Sequence, residues 1–143
     1  MILIDADLLL YAYNSSSEHH REAKTWLQEV LSKPEQVRLA WITVIAFLRI
    51  STNPRAFPRP LSIKDSLGIM TELLSLSNVH VLDPTDRHFE ILTTLLPTAQ
   101  ASGPLVNDGH LAALAIEHGA LLCSTDRDFA RFPELRFVNP LKG

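Results

Sequence analysis

The chain has 143 residues, 46% of them hydrophobic and 20% charged, with a formal net charge of -3 at pH 7. That is about one domain's worth of globular chain, and it excludes both a disordered polar segment and a protein that coats polyanions through bulk positive charge. Cys123 is the one cysteine, which excludes an internal disulfide and a cysteine-rich structural zinc cage.

The longest stretch without Asp, Glu, Lys or Arg, residues 91–107, is interrupted by Pro97, Gly103 and Pro104, so no membrane span of about 20 apolar residues is expected. Met1 to Asp5 has no basic stretch and reaches a carboxylate at once. It is unlike a secretory signal, and the expectation is a cytoplasmic protein.

Met1 to Ile4 reads as a buried strand that ends at Asp5, with a helix over Ala6 to Tyr13. Asn14 to Ser17 stops that helix and caps the next, in which Ala23, Trp26, Leu27, Val30 and Leu31 recur at helical spacing until Lys33-Pro34 ends it. Val37 to Ala40 is a second strand, and Thr43 to Ser51 a mostly apolar helix. Asn53 to Pro60 holds Pro54, Pro58, Pro60, Arg55 and Arg59 and must be a loop.

Ser62 caps a helix to about Leu76, Val79 to Leu82 is a strand, and Asp83-Pro84-Thr85 leads into a helix through Leu96. Asn107-Asp108 opens a helix with an apolar stripe of Leu111, Ala112, Leu114, Ala115 and Ile116, which Gly119 stops. Leu121 to Cys123 is a strand before Ser124-Thr125-Asp126, and Arg136 to Val138 is the last. Short apolar strands alternating with helices imply an α/β sandwich: a mostly parallel central sheet with helices on both faces. Ligands in such sheets bind beyond the carboxyl ends of the strands.

Asp5 follows the first strand, Asp126 follows the Leu121 to Cys123 strand, and Asp108 lies in the first turn of the preceding helix. Three carboxylates at one sheet edge raise one another's pKa unless a cation compensates. Hard oxygen ligands without Cys or clustered His suit Mg²⁺ or Mn²⁺, which can activate water for phosphodiester hydrolysis. Position alone also makes each Asp a turn former or helix cap. Asp128 is a fourth ligand or a cap on the residues after it.

Thr43 and Thr125 are candidates to hydrogen-bond bound water or a carboxylate, with local capping as the simpler role. Arg49, Arg55 and Arg59 are candidate phosphate contacts, or simply solvated. No pair among the six histidines has a convincing metal-ligand spacing with an acid. Trp26, Trp41 and the phenylalanines read as core or interface, and Cys123 as a small buried apolar residue.

Four segments carry a family resemblance in order: Ile2 to Ala12, Ala46 to Arg55, Asp108 to Ala115 and Ser124 to Phe129. Together they resemble the PIN-domain ribonucleases, specifically the VapC-type toxins, over nearly the whole chain. The resemblance implies a single PIN domain over residues 1–143 with a three-layer sandwich fold. It also implies a Mg²⁺- or Mn²⁺-dependent endoribonuclease acting on structured RNA such as tRNA or rRNA. The expected partners are a VapB-type antitoxin and a second copy of the chain, giving a homodimer and a toxin–antitoxin hetero-oligomer. By position, Asp5 stands for the family's first acid, Asp108 for the third and Asp126 for the fourth, so these three are the implied catalytic residues and metal ligands, with Asp128 an auxiliary ligand. The second acid, usually Glu, is Ala46 here, and Asp7 is its nearest substitute in sequence, or else the cap of the first helix.

Two other readings compete. A PIN fold that has lost its second acid can persist as a module that binds RNA or antitoxin but cleaves poorly. Asp5-Ala6-Asp7 after a strand also looks like the nucleophile motif of haloacid dehalogenase-type phosphatases, although no lysine lies between Lys64 and Lys142.

Overall fold

A computed structural model describes residues 1–141 of the chain; Lys142 and Gly143, and with them the end of the expected 1–143 domain, lie outside the described residues. Strands β1 (Ile2–Ile4), β2 (Val37–Ala40), β3 (Val79–Leu82), β4 (Leu121–Cys123) and β5 (Phe137–Val138) form one sheet of order β3-β2-β1-β4-β5. Every pairing is parallel.

The helices are α1 (Ala6–Tyr13), α2 (His20–Leu31), α3 (Trp41–Ser51), α4 (Ile63–Ser75), α5 (His88–Thr98) and α6 (Leu105–His118), with a 3-10 turn over Arg127–Arg131. The chain steps outward from β1 to β2 to β3, then returns to the other side of β1 as β4. Right-handed crossovers put the helices of the outward and return steps on opposite faces.

Strand residues alternate between those two faces. Ile2, Ile4, Val37, Leu39, Val79 and Cys123 pack with α1 to α4, whereas Leu3, Ala40, Leu82 and Leu122 pack with α5, α6 and Phe129 and Phe132 of the turn region. Both faces are covered, which is why the strands read as nearly continuous apolar runs. The result is the expected three-layer α/β sandwich.

The departures from expectation are local. Asn14 Oδ1 accepts from Ser16 N and Ser17 Oγ accepts from His19 N, so these side chains build their own turns and α2 begins at His20 without a side-chain cap. Helix α3 starts at Trp41, directly after β2, and α6 at Leu105, each two residues before the start expected at Thr43 and Asn107. Pro97 lies within the last turn of α5, where it removes the bond its N–H would have made to the carbonyl four residues back, and the helix ends one residue later. Ser62 does cap α4, its Oγ accepting from Asp65 N at 3.0 Å, and Gly119 ends α6 in the left-handed conformation at φ 68° that glycine adopts without strain. Trp41 is not core: it is 55% exposed. No helix among the described residues is long and apolar enough to cross a membrane.

Candidate functional site

Strand order reverses between β1 and β4, and at such switch points the crevice beyond the carboxyl ends is the natural ligand site. Register then decides what meets there. Ile4 pairs with Cys123, so the next residues, Asp5 and Ser124, lie side by side. Asp5 N donates to Cys123 O at 3.0 Å, and Ser124 Oγ donates to Asp5 Oδ2 at 2.7 Å. Asp5 Oδ1 accepts from Ala6 N at 2.8 Å, making Asp5, and not Asp7, the cap of α1.

Helix α6 runs into β4, so its amino end lies at the same edge of the sheet and carries Asp108 in its first turn. One carboxylate oxygen each of Asp108, Asp126 and Asp128 lies within 4.8 Å of the others. Asp126 also caps the 3-10 turn, accepting from Asp128 N at 2.9 Å, and so the local cap and the cluster are one arrangement. Asp5 stands outside that tight trio but shares a cleft of about 330 Å³ with Asp108, Thr43, Ala46, Arg49 and Asn107.

The acids sit where ionisation is costly. Burial, then the neighbouring Asp7 and, more weakly, Asp108, push the Asp5 carboxyl up to about 7, against the opposing bonds from Ser124 and Ala6. Burial and the charges of Asp126 and Asp128 push Asp108 up to about 6. Such crowding is what a bound cation relieves.

A stability consequence follows from linkage. Between the ordinary value of 3.8 and about 7 the folded state holds more protons on Asp5 than the unfolded chain does, so stability must fall as pH rises through that window. In EDTA, urea midpoints are expected to drop between pH 4.5 and 7.5, and less so in Asp5→Asn. Equal pH profiles for the two proteins would contradict the raised carboxyl.

Asp7 stands outside the trio and is tied to the turn after β4. Its Oδ1 accepts from Leu8 N at 2.7 Å and its Oδ2 from Thr125 N at 2.9 Å, with the Thr125 hydroxyl donating to the same oxygen. Burial raises its pKa as well. Asp7 is thereby a brace on the Ser124-Thr125-Asp126 turn.

Two side chains matter more than the sequence suggested. Ser124, fully buried, links Asp5 to the Asp126 backbone, accepting from Asp126 N at 3.0 Å. Its signal in the sequence was only its place at a strand end. Thr43 is no cap: it lies inside α3, 1% exposed, and its Oγ1 has no hydrogen-bond partner although it borders the cleft. An unmet buried hydroxyl costs about 1–3 kcal/mol and marks a place for a bound water or ligand oxygen. Arg49, Arg55 and Arg59 are exposed without ion pairs among the described residues, and Arg49 alone borders the cleft.

A second polar cluster lies between α5 and α6. His88 Nδ1 is 2.7 Å from Glu117 Oε2, His88 Nε2 is 2.9 Å from His110 Nδ1, and Thr85 N donates to Glu117 Oε1 at 2.7 Å. Burial and His88 hold the His110 pKa low. The histidines are thus hydrogen-bonded to each other and to Glu117.

Comparison with known proteins agrees with this architecture. A protein of Mycobacterium tuberculosis named Ribonuclease VapC37 is 41% identical over 140 residues, covering 98% of this chain and 97% of its own. The solved structure of VapBC2 from Rickettsia felis, bound to a DNA fragment from its promoter, contains a chain that superposes with a TM-score of 0.71 at 18% identity, covering 97% of this chain and 98% of that one. A toxin–antitoxin complex from Klebsiella pneumoniae gives 0.65 at 20% identity, with 98% of each chain covered. The PIN domain family model matches residues 2–135, the span that holds both strand-end acids and the α6 acid, and the chain belongs to the PIN domain family.

Proposed function

We propose that this protein is the toxin of a toxin–antitoxin pair, an endoribonuclease that hydrolyses RNA phosphodiester bonds with the help of Mg²⁺ or Mn²⁺. The observation that carries the reading is the convergence of Asp108, Asp126 and Asp128 within 4.8 Å, at the sheet edge that also bears Asp5, in a chain 41% identical to a ribonuclease. The donor set is oxygen only, which suits a hard divalent cation, and the unpartnered Thr43 Oγ1 beside it supplies a fixing point for water.

Asp5, Asp108 and Asp126 would hold the ion, and Asp128 would assist. When bound, the ion would supply Lewis acidity, activating water and offsetting charge on the phosphate. Ser124 keeps the Asp5 carboxylate turned to the cleft, and Asp7 and Thr125 hold the turn from which Asp126 projects. Thr43 orients water. Arg49, which borders the same cleft, pairs with a phosphate oxygen of the strand being cut. Water adds at phosphorus as the ester P–O bond breaks.

The likeness to VapBC and toxin–antitoxin structures supports a VapB-type antitoxin as partner, with a homodimer inside a hetero-oligomer, acting in the cytoplasm. The purified protein is expected to cut total cellular RNA in Mg²⁺ or Mn²⁺ and to stop in EDTA. Intact RNA at every ion tested would end the nuclease reading.

Ala46 favours one second reading, a module that binds but cleaves poorly, because it borders the cleft with Asp5 and Asp108 and offers no ligand. Ala46→Glu separates the two. A weakened site gains charge, and Mn²⁺ affinity by calorimetry should rise roughly tenfold with faster cleavage; unchanged affinity would mean that the acids already present suffice.

A further inference from the structure

We propose that a cavity beside the acid cluster, of about 440 Å³ and bordered by Tyr11, His19, Glu22, Thr125, Arg127 and Asn139, is a nucleotide subsite that stacks one RNA base next to the phosphate being cut. The proposal rests on the ribonuclease reading above and adds where the strand goes.

Continuity with the site comes first. Thr125 and Arg127, the residues on either side of Asp126, border the cavity, and Thr125 donates to Asp7 from both its N and its hydroxyl, so the cavity adjoins the turn that carries the acids. Within Asp126-Arg127-Asp128, the two acids turn toward Asp108 while Arg127 borders the cavity. Arg127 is exposed and has no ion pair among the described residues. Arg127 at this cavity and Arg49 at the cleft shared by Asp5 and Asp108 give each of the two spaces one cation for a phosphate.

The wall has the chemistry of a base. Tyr11 and His19 stand with ring centroids 4.8 Å apart at 49°, an aromatic surface of the kind on which bases stack whatever their sequence. His19 is otherwise engaged only in part, its Nε2 lying 3.4 Å from the exposed Glu18, a contact of little energy. Glu22 can accept from an exocyclic amine and Asn139 can donate from its amide, whose oxygen is already used by Leu141 N at 3.0 Å. A cation for phosphate, rings for stacking and edge-reading polar groups favour a nucleotide over a peptide.

The test uses the full chain carrying Asp108→Asn, in EDTA so that nothing is cut, and fluorescence anisotropy with two fluorescein-labelled probes. One is decacytidylate RNA, the other a decamer of tetrahydrofuran-phosphate spacers that keeps the phosphates and lacks bases. His19→Ala should weaken decacytidylate binding by about fivefold or more and spacer binding by less than about twofold, with His19→Phe restoring the former. Arg127→Gln should weaken both and reduce the salt slope by about 0.7. Equal losses on both probes, unchanged binding in His19→Ala, or a parent that fails to prefer the probe with bases would each overturn the subsite. Cleavage by the wild type in Mn²⁺ is read separately, so a failed subsite with persistent cleavage leaves the ribonuclease reading standing.

Discussion

Asp108→Asn is expected to lower divalent-ion-dependent RNA cleavage by at least about 100-fold while raising the stability of the metal-free protein. Asn keeps the shape and can still accept from one oxygen, but carries no charge to a cation. The cluster it joins is held by neighbours that do not depend on it: Asp126 caps the 3-10 turn, and Asp128 lies 3.9 Å from Arg131. The geometry therefore survives the substitution. What disappears is a carboxylate that burial and two negative neighbours push up to about 6, and with it a repulsion that ionisation at neutral pH imposes on the fold.

Opposite signs for activity and stability distinguish a ligand from a structural residue, whose loss lowers both. Melting in EDTA at pH 7.5 and RNA cleavage in Mn²⁺ give the two readouts. Cleavage within about threefold of wild type would remove Asp108 from the ligand set; a lower melting temperature would make it structural.

Much of this site was legible in the sequence because parallel strands covered on both faces are written as short apolar runs, and a carboxylate after such a run falls at the ligand-binding edge. Asp5 and Asp126 are read that way, and Asp108 by its place at the start of the helix before β4. The bounds of β2 and β3 coincide with their apolar runs for the same reason.

What was not legible depends on partners distant in sequence. The tie between Asp7 and Thr125 exists only because register brings them together, and Thr43 looks like a cap because a threonine near a helix start usually is one. The early start of α3 escapes a pattern-based reading because its first residue, Trp41, faces outward, and helix periodicity marks only the buried stripe. His88, His110 and Glu117 are 29 residues apart at the extremes, and nothing local joins them.

That last cluster gives the largest expected effect on stability. Glu117 and His88 side chains are 1% and 12% exposed, and no Lys or Arg pairs with Glu117 among the described residues. A carboxylate only accepts, so His88 Nδ1 and Thr85 N both donate to Glu117, and His88 passes the chain on to His110 through Nε2. Glu117 and His110 both belong to α6, His88 to α5, and Thr85 to the loop before α5, so one side chain ties three segments over the second face of the sheet.

Glu117→Ala leaves the half-buried Thr85 N–H and His88 Nδ1–H without an acceptor and should cost about 2–4 kcal/mol, a fall in melting temperature on the order of 10 °C. Glu117→Gln keeps an acceptor at one oxygen and should cost less, about 1–3 kcal/mol. Glu90→Ala, on the exposed side of α5, should stay within about 0.5 kcal/mol of wild type. Urea denaturation of the three variants orders them, and the order carries the argument. A loss in Glu117→Ala no larger than in Glu90→Ala would mean that water replaces the carboxylate freely, and that helix-to-sheet packing alone, without this polar tie, fixes α6 and the Asp108 it carries.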